Sequence, residues 1–145
     1  MSLSLNRTAE KRSQDVDFGI TSENAIQSTI ETFFNDTLTK TPQFDSVDWE
    51  GESGAKYELK SRKVFSTTYP TTILPVSKVK AMESSKGFCI FRFLDKIKYI
   101  LYTKEVFDTF EICDVYCNGF PRKHYHIPIE KLIDIYNFEV FKVIN

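Results

Sequence analysis

Two carboxylates and an amine stand near one another along the chain: Asp48, within Phe44-Asp45-Ser46-Val47-Asp48-Trp49, and Glu58 with Lys60, within Tyr57-Glu58-Leu59-Lys60-Ser61-Arg62. Carboxylates that face each other repel unless a cation sits between them, and oxygen donors at that spacing suit a hard divalent ion such as Mg2+ or Mn2+. An ammonium beside such a pair can orient a water or stabilise negative charge on a phosphate under in-line attack. The chemistry these types support is metal-assisted hydrolysis, with Asp48 and Glu58 as ligands and Lys60 as the electrostatic partner. Leu59 turns its side chain the other way, and its backbone carbonyl is a further candidate ligand.

Positioning these groups is the work of a β-hairpin. A short arm from Gln43 to Glu50 is followed by Gly51-Glu52-Ser53-Gly54, whose glycines tolerate positive φ, and by a second arm from Ala55 to Val64. Lys56, Glu58, Lys60 and Arg62 alternate with Tyr57, Leu59 and Ser61, so the four charged residues share one face of a strand. A loop limited to Glu52, Ser53 and Gly54 would set Asp48 opposite Glu58 on that face. The same alternation also describes an ordinary solvated strand, because Glu and Lys are common surface residues.

Apolar residues recur at helical spacing from Ser22 to about Lys40, through Ala25, Ile26, Ile30, Phe33, Phe34 and Leu38, which predicts an amphipathic helix with Thr21 or Ser22 as cap. The hydroxyl-rich stretch Phe65 to Pro75 reads as an ordered loop, and a short helix capped by Ser77 and ended by Gly87 follows it. Phe88–Leu94 and Ile97–Thr103 read as two strands joined at Asp95-Lys96. Further strands are expected near 107–116, 125–127 and 138–144, with a turn at 118–121 and a helix from Pro128 to about Tyr136. The plan is α+β (mixed α/β): one central mixed sheet flanked by helices.

Asp, a gap of about ten residues, then Glu-x-Lys on the next strand resembles the PD-(D/E)xK nuclease superfamily, which includes many restriction endonucleases, the archaeal Holliday junction resolvases and the lambda-type exonucleases. The resemblance spans roughly residues 19–103. It implies a restriction endonuclease-like fold, Mg2+ or Mn2+ as cofactor, DNA as substrate and, in many relatives, a homodimer. The resolvases show Gly, three residues, then Glu at the start of the first helix, and Gly19-Ile20-Thr21-Ser22-Glu23 matches that spacing, which makes Glu23 a candidate fourth catalytic group. Val47, not proline, precedes Asp48, and this departure leaves Asp45 as a competitor for the ligand position. Tyr57 to Arg62, with Tyr69-Pro70-Thr71-Thr72 and Ser77-Lys78, is also similar to small nuclease-like proteins of phages and large DNA viruses. A second reading of the same resemblance is a nuclease fold without catalysis, serving nucleic-acid binding or viral assembly.

Composition narrows the remaining classes. A chain of 145 residues fits one domain, set here at 18–145 behind a polar arm at 1–17. Its formal net charge of −1 excludes binding of nucleic acid through bulk charge, so phosphate contacts must come from a local patch. Arg62 and Lys63 at the end of the charged strand, and Lys78 and Lys80 in the short helix, supply one. Three cysteines, Cys89, Cys113 and Cys117, make an odd set that suits free thiols in a reducing compartment. Cys113 and Cys117 with His124 and His126 are set aside as a zinc site, since the C-x3-C spacing is unusual for a knuckle. No window has the apolar length of a membrane span, and the first twenty residues lack the apolar core of a secretory signal. A soluble, intracellular protein of the cytoplasm or nucleus, cellular or encoded by a virus or phage, is the expectation.

Overall fold

The computed structural model describes residues 25–42 and 47–135. Two sheets frame the described residues. The first has six strands in the order β1-β2-β3-β5-β6-β9, and the second has three, β4-β8-β7. The ranges are β1 Leu38–Lys40, β2 Trp49–Gly51, β3 Lys56–Ser61, β4 Thr71–Pro75, β5 Gly87–Arg92, β6 Ile97–Leu101, β7 Glu111–Cys117, β8 Phe120–Pro128 and β9 Ile133–Asp134. Helix α1 covers residues 25–34, α2 is Val76–Lys80 and α3 is Lys104–Phe107. The fold is α+β with a mixed main sheet, because β3 and β5 run parallel while every other pairing in it is antiparallel.

Period-two alternation in the central strands divides the core in two. On one face Tyr57, Trp49 and Ile90 pack with Ile26 and Ile30 of α1, joined by Phe34, Phe88 and Tyr99. On the other, Cys89, Phe91 and Ile100 pack against Leu74, Tyr125 and Ile127 of the second sheet and against Val79 and Met82. The layers are thus helix, main sheet, then a layer shared by α2 and the smaller sheet. Trp49 and Tyr57 are cross-strand neighbours and almost fully buried. Their rings anchor the β2–β3 hairpin under α1, whose Gln27 accepts a hydrogen bond from Trp49 Nε1 at 3.2 Å.

Several boundaries depart from the expectations. The first helix ends at residue 34 rather than near Lys40: Asn35 has φ of 51° and breaks the helix in the left-handed region, where Asn is tolerated. Leu38 then enters β1, facing Gly51. The hydroxyl-rich stretch is only partly a loop, since Thr71–Pro75 forms β4 against β8, and helix α2 has Pro75, not Ser77, at its cap position. The chain leaves α2 at Ala81, before Gly87, which begins β5. A helix at 104–107 precedes β7, and the C-terminal helix expected from Pro128 is a 3-10 turn at Ile129–Lys131 followed by β9. β8 runs well beyond 125–127, and it joins β7 through Asn118-Gly119, both at positive φ, as a tight hairpin requires. The polar arm, Glu23 and its glycine, Asp45 and the strand expected at 138–144 lie outside the described residues.

Candidate functional site

The expected face of β3 exists, and it is not a solvated one. Even-numbered residues of this strand point toward α2 and the second sheet. The Lys56 amine donates to the Ala81 carbonyl at 3.1 Å, and the Arg62 guanidinium donates from Nη2 to the Ile73 carbonyl at 2.8 Å. Between them Glu58 is only 2% exposed, a depth at which strand carboxylates are rare unless paired. Lys60 Nζ lies 3.3 Å from Glu58 Oε2, and Lys78 Nζ approaches the same oxygen at 3.8 Å. The other oxygen, Oε1, is buried without a hydrogen-bond partner.

Burial, reinforced by the negative charge of Asp48, pushes the Glu58 carboxyl up to about 7, against the pull of Lys60 and Lys78 in the opposite direction. The carboxylate therefore sits at the point where it exchanges a proton near neutral pH, a property common at sites of chemistry. Cys89, its cross-strand neighbour on β5, has its thiol pushed up by burial and by the Glu58 charge, so it stays protonated.

Asp48 reaches this region through the hairpin. The β2–β3 register pairs Trp49 with Tyr57 and Glu50 with Lys56, and the loop is Glu52, Ser53 and Gly54, so Asp48 falls beside Glu58. Its amide donates to Tyr57 O at 3.0 Å, and its Oδ2 accepts the Leu59 amide at 2.7 Å. That second bond locks the Asp48 side chain across the strand. Leu59 turns its own side chain to the opposite face, against the cluster beneath α1.

Among the basic candidates, the structure brings Lys60 and Lys78 to Glu58 and leaves Lys63 and Lys80 exposed. Arg62 is half-buried and engaged with Ile73, and burial lowers its pKa from the ordinary arginine value. The short helix α2 has only five residues, so little helix dipole backs the amides at its start. Lys78 turns its side chain inward toward Glu58, a contact not legible in the sequence, where Lys78 was expected to meet backbone phosphate. A basic residue in the element that crosses from β3 to the parallel β5 is the signal that points to it.

The charge of Asp48 is felt at Glu58, and one Glu58 oxygen is buried without a partner. Mg2+ commonly takes one or two carboxylates and completes its shell with water and substrate phosphate, so these two residues are the ones that could take part in holding such an ion. Asp48 and Glu58 would hold the ion, and the Leu59 carbonyl comes directly after Glu58 on β3. Among the described residues, no group of three or more His, Cys, Asp or Glu side chains is placed to hold a metal. Cys113 pairs with His124 across β7 and β8 while Cys117 pairs with Phe120 farther along the hairpin, and all three cysteines are free thiols. No family model, curated protein or solved structure matches this chain.

Proposed function

We propose that the protein is a metal-dependent deoxyribonuclease that hydrolyses DNA phosphodiester bonds, with Asp48 and Glu58 as metal ligands and Lys60 as the electrostatic partner. The observation that carries this reading is the buried Glu58 carboxylate, raised to about 7, with one orphaned oxygen, an adjacent aspartate and two lysines converging on its other oxygen. A purely solvated charged strand would show none of these. A bound Mg2+ or Mn2+ would supply Lewis acidity and a more acidic water. Glu58 would give up its proton to the solvent when it takes the ion, and Lys60 would hold either the attacking water or a non-bridging phosphate oxygen. Lys78 would add positive charge beside the same carboxylate, and Lys63, Lys80 and Arg62 would bias a DNA backbone toward this face. Glu23 belongs to the reading as an additional acidic group.

Cutting both strands of a duplex needs two such sites, so a homodimer is part of the reading. Among the described residues no helix is long and apolar enough to cross a membrane. A soluble intracellular enzyme, cellular or encoded by a phage or virus, is the setting that suits this chemistry.

The test is incubation of purified protein with plasmid, linear and branched DNA in Mg2+ or Mn2+, beside Glu58→Ala and Lys60→Ala. Cleavage by the wild type, lost in both variants, is the expected result. Inert wild type on every substrate with either ion, or variants as active as wild type, defeats the proposal. A second reading, a nuclease-like module that binds nucleic acid or assembles without cutting, draws on the Asp48 carboxylate already being used by the Leu59 amide. Under that reading DNA is bound with and without divalent ions and never cut.

A further inference from the structure

A second feature lies at the far end of the charged face. After β3 the chain passes through residues 62–70 into β4, and this segment encloses a cavity of about 480 Å3 floored by Phe93 and Ile129, walled by Ile73, and rimmed by Lys63, Phe65 and Tyr69. That volume is within the range of small-molecule sites. The rim is unusual for a surface loop. Phe65 is 55% exposed and Tyr69 is 61% exposed, which leaves two aromatic rings presented to solvent at the mouth of an apolar recess, with an exposed lysine beside them.

The segment is also firmly held. Ser66 donates its amide and its hydroxyl to the two oxygens of Asp95, both at 2.7 Å. The Phe65 amide donates to Thr68 Oγ1 at 3.1 Å, and the Thr68 amide returns to the Phe65 carbonyl at 3.0 Å. At the two ends, Leu94 N donates to Val64 O and Ile129 N to Pro70 O. With the backbone beneath them fixed, the two rings need only their side-chain torsions ordered when a flat ligand stacks on them. Core packing does not account for these two exposed rings.

We infer that this recess takes an unstacked nucleobase, so that the substrate is a nucleic acid with single-stranded or extruded nucleotides. Every base has a π-face, so Phe65 and Tyr69 can stack on it without sequence preference, while Lys63 meets the neighbouring phosphate. The recess neighbours the candidate site along the chain: Arg62, which lines the cavity, comes two residues after Lys60, just past the end of β3. Four residues of extended strand cover about 13 Å, a span that a few nucleotides bridge. A strand with a base seated in the recess can thus reach the partly exposed Lys60 amine beside the buried Glu58. This assignment deepens the proposed nuclease reading and relies on it for the kind of polymer, but binding to the recess does not require cleavage.

The experiment is therefore done in EDTA, where no cutting occurs. Full-length protein is titrated into a single strand of about ten thymidines carrying one central 2-aminopurine, a length within the usual site sizes of single-strand binders. A duplex of the same sequence and an abasic strand of equal length and charge are titrated in parallel. The expected result is a change in 2-aminopurine fluorescence on the single strand, weaker binding to the duplex and the abasic strand, and loss of at least about fivefold in affinity in Tyr69→Ala with near wild-type binding in Tyr69→Phe, as stacking on a ring requires. Equal affinity for the abasic strand, or unchanged affinity in both Tyr69→Ala and Phe65→Ala, overturns the inference. A protein that cuts DNA but shows either of those results keeps its nuclease reading and loses this one. Ring-dependent binding by a protein that never cuts does the reverse.

Discussion

Glu58 and Lys60 stand two positions apart on β3, with the lysine nitrogen 3.3 Å from a carboxylate oxygen that is almost wholly buried. Their types and spacing also occur on countless exposed strands. What sets this pair apart is the layer above it: α2 and the second sheet cover the strand face, bring Lys78 to 3.8 Å from the same oxygen and exclude water from the other.

The protonation of Glu58 makes stability depend on pH. A carboxyl raised from 4.5 to about 7 favours its neutral form in the folded state, so the folded chain binds a proton that the unfolded chain has already lost between those values. The contribution, on the order of 3 kcal/mol, is fully present below about 4.5 and disappears as pH rises through about 7. Glu58→Gln should flatten this dependence and be more stable than wild type at pH 8, since Lys60 and Lys78 are partly exposed and remain solvated. Urea unfolding at several pH values, followed through the single tryptophan, Trp49, measures it. Parallel pH profiles for the two proteins would contradict the burial of a titrating carboxylate.

If the proposed metal site is correct, a divalent ion competes with that proton. Mg2+ or Mn2+ should raise the melting temperature more at pH 8 than at pH 6, by an amount equivalent to about 2.7 kcal/mol at a hundredfold excess over the dissociation constant. Glu58→Gln should lose most of this gain. Thermal scans with and without the ion, with Ca2+ and EDTA as controls, decide the matter, and a wild type indifferent to both ions would remove the metal from the site.

For activity, Lys60→Ala is expected to lower the rate of DNA cleavage by about 10²–10³-fold, the usual effect of removing one preorganised charge from a phosphoryl or acyl centre. The acid limb of the rate profile should fall near pH 7 at low Mg2+ and move to lower pH as Mg2+ increases, because the ion and the proton compete for Glu58. A limb that stays put across a wide range of Mg2+ would assign the titration to another group.

The hairpin itself depends on a close approach. A methyl group on Gly51 would collide with the carboxylate of Asp36, which is fixed by hydrogen bonds from Ser53 Oγ at 2.6 Å and Tyr57 Oη at 2.8 Å. Burial raises the Asp36 carboxyl, but these hydrogen bonds outweigh it and hold the pKa below the ordinary aspartate value. Gly51→Ala should destabilise the fold by about 1–3 kcal/mol, the usual range for overpacking. Asp36→Ala, which strands the buried Tyr57 hydroxyl, should cost a similar amount. Chemical denaturation of both variants measures these effects, and a change within about 0.5 kcal/mol for Gly51→Ala would mean that Asp36 moves aside freely.

The sequence by itself determined the local geometry of the candidate site. Alternation on β3 puts Glu58, Lys60 and Arg62 on one face whatever lies above them, and a loop of Glu52, Ser53 and Gly54, which the sequence allowed and the structure has, sets Asp48 beside Glu58. The strands at 88–94 and 97–103 were legible for the same reason, as β-branched and aromatic runs flanking a short turn. Where a local signal was weak or ambiguous, long-range pairing decided: Leu38 continues the helical spacing of α1 yet becomes a strand residue because Gly51 lies across from it, and Thr71–Pro75 becomes strand because β8 supplies its partners. Only the tertiary structure decided that the charged face would be buried. Desolvation is a property of what packs on a residue, and α2, β4 and β8 come from sequence positions far enough from Glu58 that no spacing rule connects them to its pKa.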